Sequence, residues 1–585
     1  MTDSRTWKAA RAILVILIII VSALYLLRPV VDNDFFWHLK TGEWIWQNQT
    51  LPAEDPFSYT TPQTYSERAD FILTSYWLSQ LLLYFAYLSG GIHGVVLGRF
   101  IVVGILVYVM SKRRVGDPIV YLCLLILFLI NFLTYPVERP HFFSFLFFSM
   151  LLFLLEHIRR EREQYSGKRM AVLLSLLMAV WANMHGGYVL GQLSILLFIL
   201  MESIKKLHPS LRPLRPEVFR NVVIAGVCGI VFSLMNPNTY HALSQLLYAD
   251  RNFADIVANN LEFASSLERF SMGGRDVLLY WLFCLFCLIG VIITLRTPDI
   301  TQISILAAAG YFSFSTIRYI PLFMIAALPF IGNAFSGKRF LKYSRFLLIC
   351  LTVFAAAYFA WNERLNVLRV ARGNWISGYA MPVGAADFII RNDIKGNMFN
   401  FSDWGGYLMW RLGPERKVFS DGRFLYPETD TIERSVGAAV AIDYNGTPYW
   451  KSILNRYGVT YIIMPLFVEY GETYPLLFEL LKDREWLPVF FSQKTMVFAR
   501  NSSENRKVIE GHAIQKDRFV DMLIETCNLL VRARPNNYQY YMAKSDLIMF
   551  RGDFAEAKAG YKKVLMLAPD HALARQKLRA IELNE

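Results

Sequence analysis

Phe71-Ile72-Leu73-Thr74-Ser75-Tyr76-Trp77-Leu78-Ser79-Gln80-Leu81-Leu82-Leu83-Tyr84-Phe85-Ala86-Tyr87-Leu88 is the stretch whose reading decides the fold, because the sidedness of everything after it depends on whether it crosses a bilayer. It is apolar, yet Ser75, Ser79 and Gln80 interrupt it and Trp77 and several Tyr enrich it, which is the composition of a helix lying along a membrane interface. The chain around it has 585 residues, 55% of them hydrophobic, and a mean hydropathy of +0.33, the profile of an integral membrane protein. A span needs about 20 apolar residues. Spans are predicted near 11–27, 93–111, 118–134, 142–156, 170–182, 188–201, 221–235, 276–295, 301–316, 319–334 and 344–361. Several are short for a full crossing and call for tilt or extension into the flanks.

Leaving 71–88 out of the membrane makes every loop obey the positive-inside rule. Arg5, Lys8 and Arg11 then share the cytoplasmic side with Lys112-Arg113-Arg114, Arg159-Arg160, Arg162, Lys168-Arg169, Lys205-Lys206, Arg212, Arg215, Arg220, Arg296, Lys338-Arg339, Lys342 and Arg345. Were it a span, Lys112–Arg114 would face outward. Eleven spans put the N-terminus in the cytoplasm and the residues after 361 outside it, in a multi-pass protein of a bacterial-type inner membrane. No small-residue cleavage site flanks the first apolar run, so it reads as a retained span rather than a signal peptide. The net charge of +13 needs no nucleic acid: its basic residues cluster where anionic headgroups supply the counter-charge. Of six cysteines, five fall in predicted spans and Cys527 stands alone. That excludes a disulfide framework, and Cys284-x-x-Cys287 reads as packing.

With that sidedness, every short polar motif of the membrane half emerges on the outer face: Asp32-Asn33-Asp34, Glu138-Arg139-Pro140-His141, Asn183-Met184-His185-Gly186-Gly187, Asn236-Pro237-Asn238, Glu262 and Arg318-Tyr319. Ionisable groups near membrane depth are costly and persist mainly around polar cavities, so the convergence predicts an active site. Asp32, Asp34 and His38 open the long first outer loop, 28–92. A carboxylate there acts as a general base or shares a divalent cation, or else caps a helix starting near Phe35. Glu138, Arg139 and His141 form a short rigid loop, with Arg139 pairing Glu138 as the structural alternative. His185 begins a turn whose glycines permit close backbone approach; it contacts substrate or is a satisfied buried imidazole. Glu262 follows Asn259-Asn260-Leu261 and precedes Gly273-Gly274-Arg275, as an acceptor contact or a solvated charge. The planar fork of Arg318 suits a phosphate, with a salt bridge to Glu138 or Asp34 as the alternative.

An Asp-rich segment after the first span, an amphipathic helix containing Tyr76-Trp77-Leu78, and then Gly94, Gly98 and Arg99 resemble the GT-C polytopic glycosyltransferases. That superfamily includes oligosaccharyltransferases, protein O-mannosyltransferases and lipid A aminoarabinose transferases. The resemblance implies a polyprenyl-phosphate- or diphosphate-linked sugar donor and transfer on the extracytoplasmic face. It makes Asp34 the first-loop catalytic carboxylate, with Asp32 second, and sets Arg318, with Arg139, on the donor phosphate. Glu138, His141, His185 and His38 would line the cavity. The related enzymes carry Asp-x-Asp where this chain has Glu138 and His141, which leaves a divalent cation, Mg or Mn, as the one cofactor to be sought.

Residues 362–505 alternate strand-like runs (397–401, 417–420, 460–464, 487–491, 496–499) with helical ones (383–391, 447–457, 474–482), which predicts a small α/β domain. Its Ser402-Asp403-Trp404-Gly405-Gly406-Tyr407-Leu408, followed by Ser420-Asp421-Gly422-Arg423, resembles the acceptor-recognising Trp-Trp-Asp-Tyr-Gly region of oligosaccharyltransferases. The residue order differs, so Asp403, Trp404, Tyr407 and Glu262 are expected acceptor contacts with no asparagine-sequon specificity implied; a plain strand-to-helix turn is the alternative. In 510–585, Tyr541, Ser545, Gly552, Ala557, Tyr561 and Pro569 fit a tetratricopeptide unit flanked by helices 519–533 and 570–583. Such a stack binds a protein partner or caps the α/β domain.

The expectation is therefore a polytopic α-helical membrane glycosyltransferase acting on a protein or cell-envelope glycan, its partners being membrane lipids, the lipid-linked donor and the acceptor. A flippase would place polar groups at mid-span within an inverted repeat, and neither is present in the sequence. An envelope-assembly protein working through its tail would not need eleven spans.

Overall fold

The computed structural model describes residues 5–62, 66–135, 138–160, 167–241, 261–272, 274, 277–295, 298–336, 341–444, 446–468 and 471–583. The expectations placed on Val137, Arg162, Asn259, Asn260, Gly273, Arg275, Arg296, Lys338 and Arg339 lie outside these residues. Two compact units emerge. The first comprises Met1–Asp32, His38–Glu54 and Glu67–Trp375; the second comprises Asn33–Trp37, Asp55–Ser66 and Ile376–Glu585. The boundaries expected at 361 and 505 shift accordingly. The last long helix runs on to Ala371, and two pieces of the first outer loop are counted with the second unit.

The first unit is helical: α1 (Arg5–Leu26), α2 (Asn33–Asn48, shared between the units), α3 (Glu67–Thr74), α4 (Trp77–Gly90), α5 (Ile92–Lys112), α6 (Pro118–Phe132), α7 (His141–Arg160), α8 (Gly167–Met184), α9 (Tyr188–Lys205), α10 (Pro216–Ser233), α11 (Ser266–Ser271), α12 (Leu278–Thr294), α13 (Ile300–Ser315), α14 (Ile320–Ala334) and α15 (Leu341–Ala371). Among the described residues seven helices are long and apolar enough to cross a membrane: α1, α5, α7, α9, α10, α14 and α15. The bent pair α3–α4 would be an eighth if it were one span, and α6, α12 and α13 are shorter apolar helices. The unit is thus a helical membrane domain. The start signals are local. Asp117 caps α6 by accepting from the Ile119 and Val120 amides, with Pro118 in the first turn, and Asp299 caps α13 through Gln302, each satisfying amides the helix cannot.

The helices alternate between two ends. At one end Arg139 meets Asp32, Tyr135 Oη donates to Ile317 O at 2.9 Å, and Val30 N donates to Trp375 O at 2.8 Å. At the other, Arg113 meets Glu156, Arg345 meets Asp117 and Arg159 meets Asp299. All the polar motifs of the membrane half lie on loops of the first end, here the motif end; the basic loops lie at the second, the basic end. Both ends of α4 are held at the motif end. Trp77 Nε1 donates to Asn183 Oδ1 at 2.8 Å, and His93, just after α4, packs edge-on against Trp375 with centroids 4.7 Å apart.

The second unit carries a four-stranded sheet of β1 (Asn397–Asn400), β2 (Val459–Pro465), β3 (Trp486–Ser492) and β4 (Thr495–Arg500) in the order β1-β2-β4-β3. The β1–β2 pair is parallel and the others antiparallel. Its helices are α16 (Val383–Arg391), α17 (Ser402–Leu412), α18 (Pro427–Ala438), α19 (Tyr449–Arg456), α20 (Pro475–Lys482), α21 (Arg506–His512), α22 (Lys516–Ala533), α23 (Tyr538–Arg551), α24 (Phe554–Leu567) and α25 (Ala572–Glu582). The strand expected at 417–420 is not one. It makes a single bridge, Val418 with Ser58, and is otherwise held by Asn400, whose side chain accepts from Phe419 N at 2.8 Å and donates to Ser420 O at 2.8 Å. Phe399, Ile462 and Phe498 of the sheet share one hydrophobic core with Phe519, Leu523, Ala557 and Tyr561 of the last helices. The helical tail is therefore not a separate body.

Candidate functional site

At the motif end three guanidiniums and three carboxylates interlock. Arg99 pairs with Glu138, both side chains nearly inaccessible, and Arg99 Nη1 also donates to Arg28 O at 3.0 Å. Arg139 Nε donates to Asp32 at 2.6 Å, and its Nη1 lies 3.0 Å from a Glu262 carboxylate oxygen. Arg318 Nη2 approaches Glu262 from the other side at 3.5 Å, and its guanidinium sits 4.9 Å from the centroid of the Phe263 ring. Exposure is graded. The side chains of Asp32, Glu138 and Arg99 are 2–4% accessible, whereas Arg318 is 34% and Glu262 41% accessible. The cluster thus has a closed floor and a mouth formed by Arg318 and Glu262. The salt bridge foreseen for Arg318 with Glu138 or Asp34 is made with Glu262 instead. Arg139 pairs Asp32 and Glu262 rather than its neighbour Glu138, which Arg99 takes.

These neighbours set the charges. Burial pushes the Asp32 carboxyl up; Arg139 opposes that and Glu138 and Glu262 add to it, so Asp32 holds a proton more readily than an ordinary aspartate. Burial would also raise Glu262, but Arg139 and Arg318 outweigh it and hold Glu262 below the usual carboxylate range.

Imidazoles border the cluster in a row. His38 and His185 flank Tyr76, with ring centroids 5.4 and 5.6 Å away, and His141 lies 6.4 Å beyond His185. Gln80 Nε2 lies 3.2 Å from His38 Nδ1. The tautomer of His185 follows from its partners. Gly187 N donates to Nδ1 at 3.0 Å, and Ser144 Oγ, which accepts from Trp181 Nε1 at 2.8 Å, lies 2.7 Å from the same nitrogen. With two donors on Nδ1, the ring proton resides on Nε2. Burial, and then Arg318, push the His185 pKa down to about 3, so the ring is a neutral donor. Residue 187 must be glycine, because a Cβ there would lie 2.5 Å from Ser144 Oγ and 2.9 Å from His185 Nδ1.

An apolar groove runs along α9 and α13, lined by Leu190, Leu193, Leu197, Ile305 and Phe312. Phe312 stacks edge-on against Tyr319, the neighbour of Arg318, at 5.7 Å.

Helix α2 starts at Asn33, so Asp34 lies in its first turn rather than before it, and its Oδ1 packs against Gly422 in the second unit. Trp404 and Tyr407 lie on α17 and are buried; Trp404 Nε1 donates to Ala380 O at 3.0 Å, and Tyr407 packs edge-on against Phe36. Packing accounts for both, and the expectation that they touch an acceptor gives way. Asp403 is exposed on the same helix. Gly405 lets the 420–423 turn reach α17, since a Cβ there would come within 2.2 Å of Ser420 O. That turn is anchored by Arg423, buried in a double fork with Asp55 (2.9 and 3.0 Å) and Asp421 (2.7 Å twice). Beside it a shallow cleft is lined by Ser402, Ser420, Asp421, Tyr426, Thr429 and Asp430.

Among the described residues no group of three or more His, Cys, Asp or Glu side chains gathers as a metal site. Asp32, Glu138 and Glu262 each face an arginine, a donor set that suits anions better than a cation. The sequence assigns no site role to Arg99, Gln80, Ser144 or Trp181. Arg99 carries a signal, as a charge inside a predicted span with no acidic neighbour in that span; Ser144 and Trp181 look like ordinary span residues. No family model matches the chain, and no characterised protein matches it in sequence.

Proposed function

We propose that the chain is a GT-C-like membrane glycosyltransferase that takes a sugar from a polyprenyl-phosphate-linked donor and transfers it, outside the cytoplasm, to a protein or cell-envelope glycan. The observation that carries this reading is the convergence of Asp32, Arg139, Glu262 and Arg318 in one cluster at the motif end, in a unit that also carries an apolar groove along α9 and α13. The groove suits an isoprenoid tail, and the arginines suit the phosphate at its head. Asp32 is the base in this reading, since a buried carboxylate of raised proton affinity is tuned for that task. It takes the acceptor's proton as the acceptor oxygen bonds to the anomeric carbon. The bond from that carbon to the phosphate oxygen breaks, and its electron pair leaves on a phosphate already ionised, neutralised by Arg318 and Arg139. His185, donating from Nε2, orients sugar or phosphate. No step is routed through a metal.

Eleven crossings belong to the same proposal: α1, α5–α10 and α12–α15, with α3–α4 lying along the motif end, as the two anchors of α4 support. The positive-inside rule then sets the motif end outside. The tail α22–α25 is read as tetratricopeptide-like: Ala557 and Tyr561 are buried where α23 and α24 pack, and Gly552 closes α23 with φ +92°. The test is mass spectrometry of envelope glycans and glycoproteins from cells lacking the chain and from cells restored with the wild type, Asp32→Asn or Arg318→Gln. A lost glycan returned by the wild type alone is expected; unchanged glycans in the deletion sink the proposal. Pro140→Cys should react with a membrane-impermeant thiol reagent from outside the cell.

A further inference from the structure

Glu262 occupies the position an anionic ligand of the cluster would take. Its carboxylate bridges Arg139 and Arg318 at 3.0 and 3.5 Å, the geometry of an oxyanion held by two forks. It is also the most exposed carboxylate of the cluster, and the backbone around it is fixed independently of that contact. Ile317 N donates to Ala264 O at 3.0 Å, and Ser265 and Glu268 form a reciprocal capping box at the start of α11. The side chain can therefore turn out to solvent without its loop moving. Arg318 would stay in place against Phe263.

Charge decides what can replace it. With Asp32 ionised in its pair with Arg139, Asp32, Glu138 and Glu262 balance Arg99, Arg139 and Arg318, so these six groups are neutral together with Glu262 in place and carry one positive charge with Glu262 withdrawn. A phosphodiester carries one negative charge and restores neutrality; a diphosphate diester carries two and does not, and an uncompensated charge in a partly buried site is costly.

We infer that Glu262 is an internal competitor for a two-arginine anion site, and that the ligand displacing it is a singly charged lipid phosphodiester, the two exchanging one for one. This rests on the proposed transferase reading and specifies its donor as monophosphate-linked. The full-length protein in dodecyl maltoside, a phosphate-free detergent, is titrated with farnesyl methyl phosphate as a one-charge phosphodiester and with farnesyl diphosphate as the more highly charged comparator. Removing the competitor should tighten binding of the phosphodiester about tenfold in both Glu262→Gln and Glu262→Ala, and adding Arg318→Gln should cancel the gain. Wild type should prefer the phosphodiester. The inference is overturned if neither Glu262 variant binds more tightly, if the gain survives Arg318→Gln, or if the diphosphate is preferred throughout. Tighter binding in the variants alongside unchanged envelope glycans in the deletion strain would end the transferase reading alone. Changed glycans with no gain at Glu262 would end this inference alone.

Discussion

The two ends of the membrane unit use their charged groups differently. At the basic end four described acids, Asp117, Glu156, Glu202 and Asp299, are each paired with a base. Arg113 grips Glu156 through Nε at 3.1 Å and Nη2 at 2.6 Å and donates to Ile325 O at 2.8 Å. Lys205 lies 2.7 Å from Glu202 and 3.1 Å from Asp299, and Arg159 reaches both acids. Glu202 and Lys205 are each 1% accessible, and Thr301 Oγ1 adds a third donor to Glu202 at 2.7 Å. At the motif end the floor is equally closed but the mouth is not: Glu262 and Arg318 keep a third or more of their surface, and neutral imidazoles stand alongside. Pairing that is complete and sealed staples helix ends; pairing that is half-open leaves an anion site available. The comparison turns on accessibility rather than on the number of charges.

The largest effect should therefore come from the sealed end. Glu202→Gln leaves Lys205 and Arg159 undercompensated in a dry setting and should cost about 4 kcal/mol, read as a fall in thermal stability in detergent, whereas the half-exposed Glu262→Gln should cost under about 1 kcal/mol. The reverse order would break the comparison.

A buried acid with no arginine against it marks a third condition. Glu433 accepts from Ser402 N at 2.9 Å and from Ser420 Oγ, yet burial, reinforced by Asp430 and Asp403, pushes its pKa from 4.5 up to about 8. The folded chain then holds a proton that the unfolded chain releases, so this contribution is full below pH 4.5 and is lost as the pH rises towards 8. The decline should amount to about 5 kcal/mol, and Glu433→Gln should flatten it in melting curves taken across that range. An equally steep decline in the variant would show that the titrating group lies elsewhere.

How far the sequence could be read tracks the same distinction. The apolar runs mark a helix at each predicted span, because that signal is local. The motif end was legible as a set because each of its members interrupts an apolar run. Which acid meets which arginine was not: Glu138 is taken by Arg99, 39 residues away, and Arg318 by Glu262, and no local rule encodes such pairs. Asp34 stands two residues from Asp32 and yet packs in the other unit, since one step along the start of α2 redirects a side chain by about 100°. Trp404 and Tyr407 were read as a recognition motif, but aromatic residues on a helix opposite a Gly405–Ser420 contact are what a core requires.

At the mouth, Arg318→Lys separates charge from shape. Lysine keeps the charge but cannot fork across two oxygens, so phosphodiester binding should weaken about thirtyfold with melting temperature unchanged. Equal affinity would make Arg318 a point charge, and the mouth would then differ from the basic end in exposure alone.

The smallest effect should lie behind the mouth, at Ser144. Its hydroxyl relays Trp181 Nε1 to His185 Nδ1, but Gly187 N donates to the same nitrogen. Ser144→Ala therefore strips one donor of two and leaves the Nε2 proton of His185 in place. The buried indole N–H loses its acceptor at a cost of about 1 kcal/mol, while phosphodiester affinity should fall no more than about threefold. A loss as deep as that of Arg318→Gln would mean that the serine, and not the glycine amide, fixes the imidazole, so that the motif end depends on a single buried hydrogen bond much as the basic end depends on Glu202.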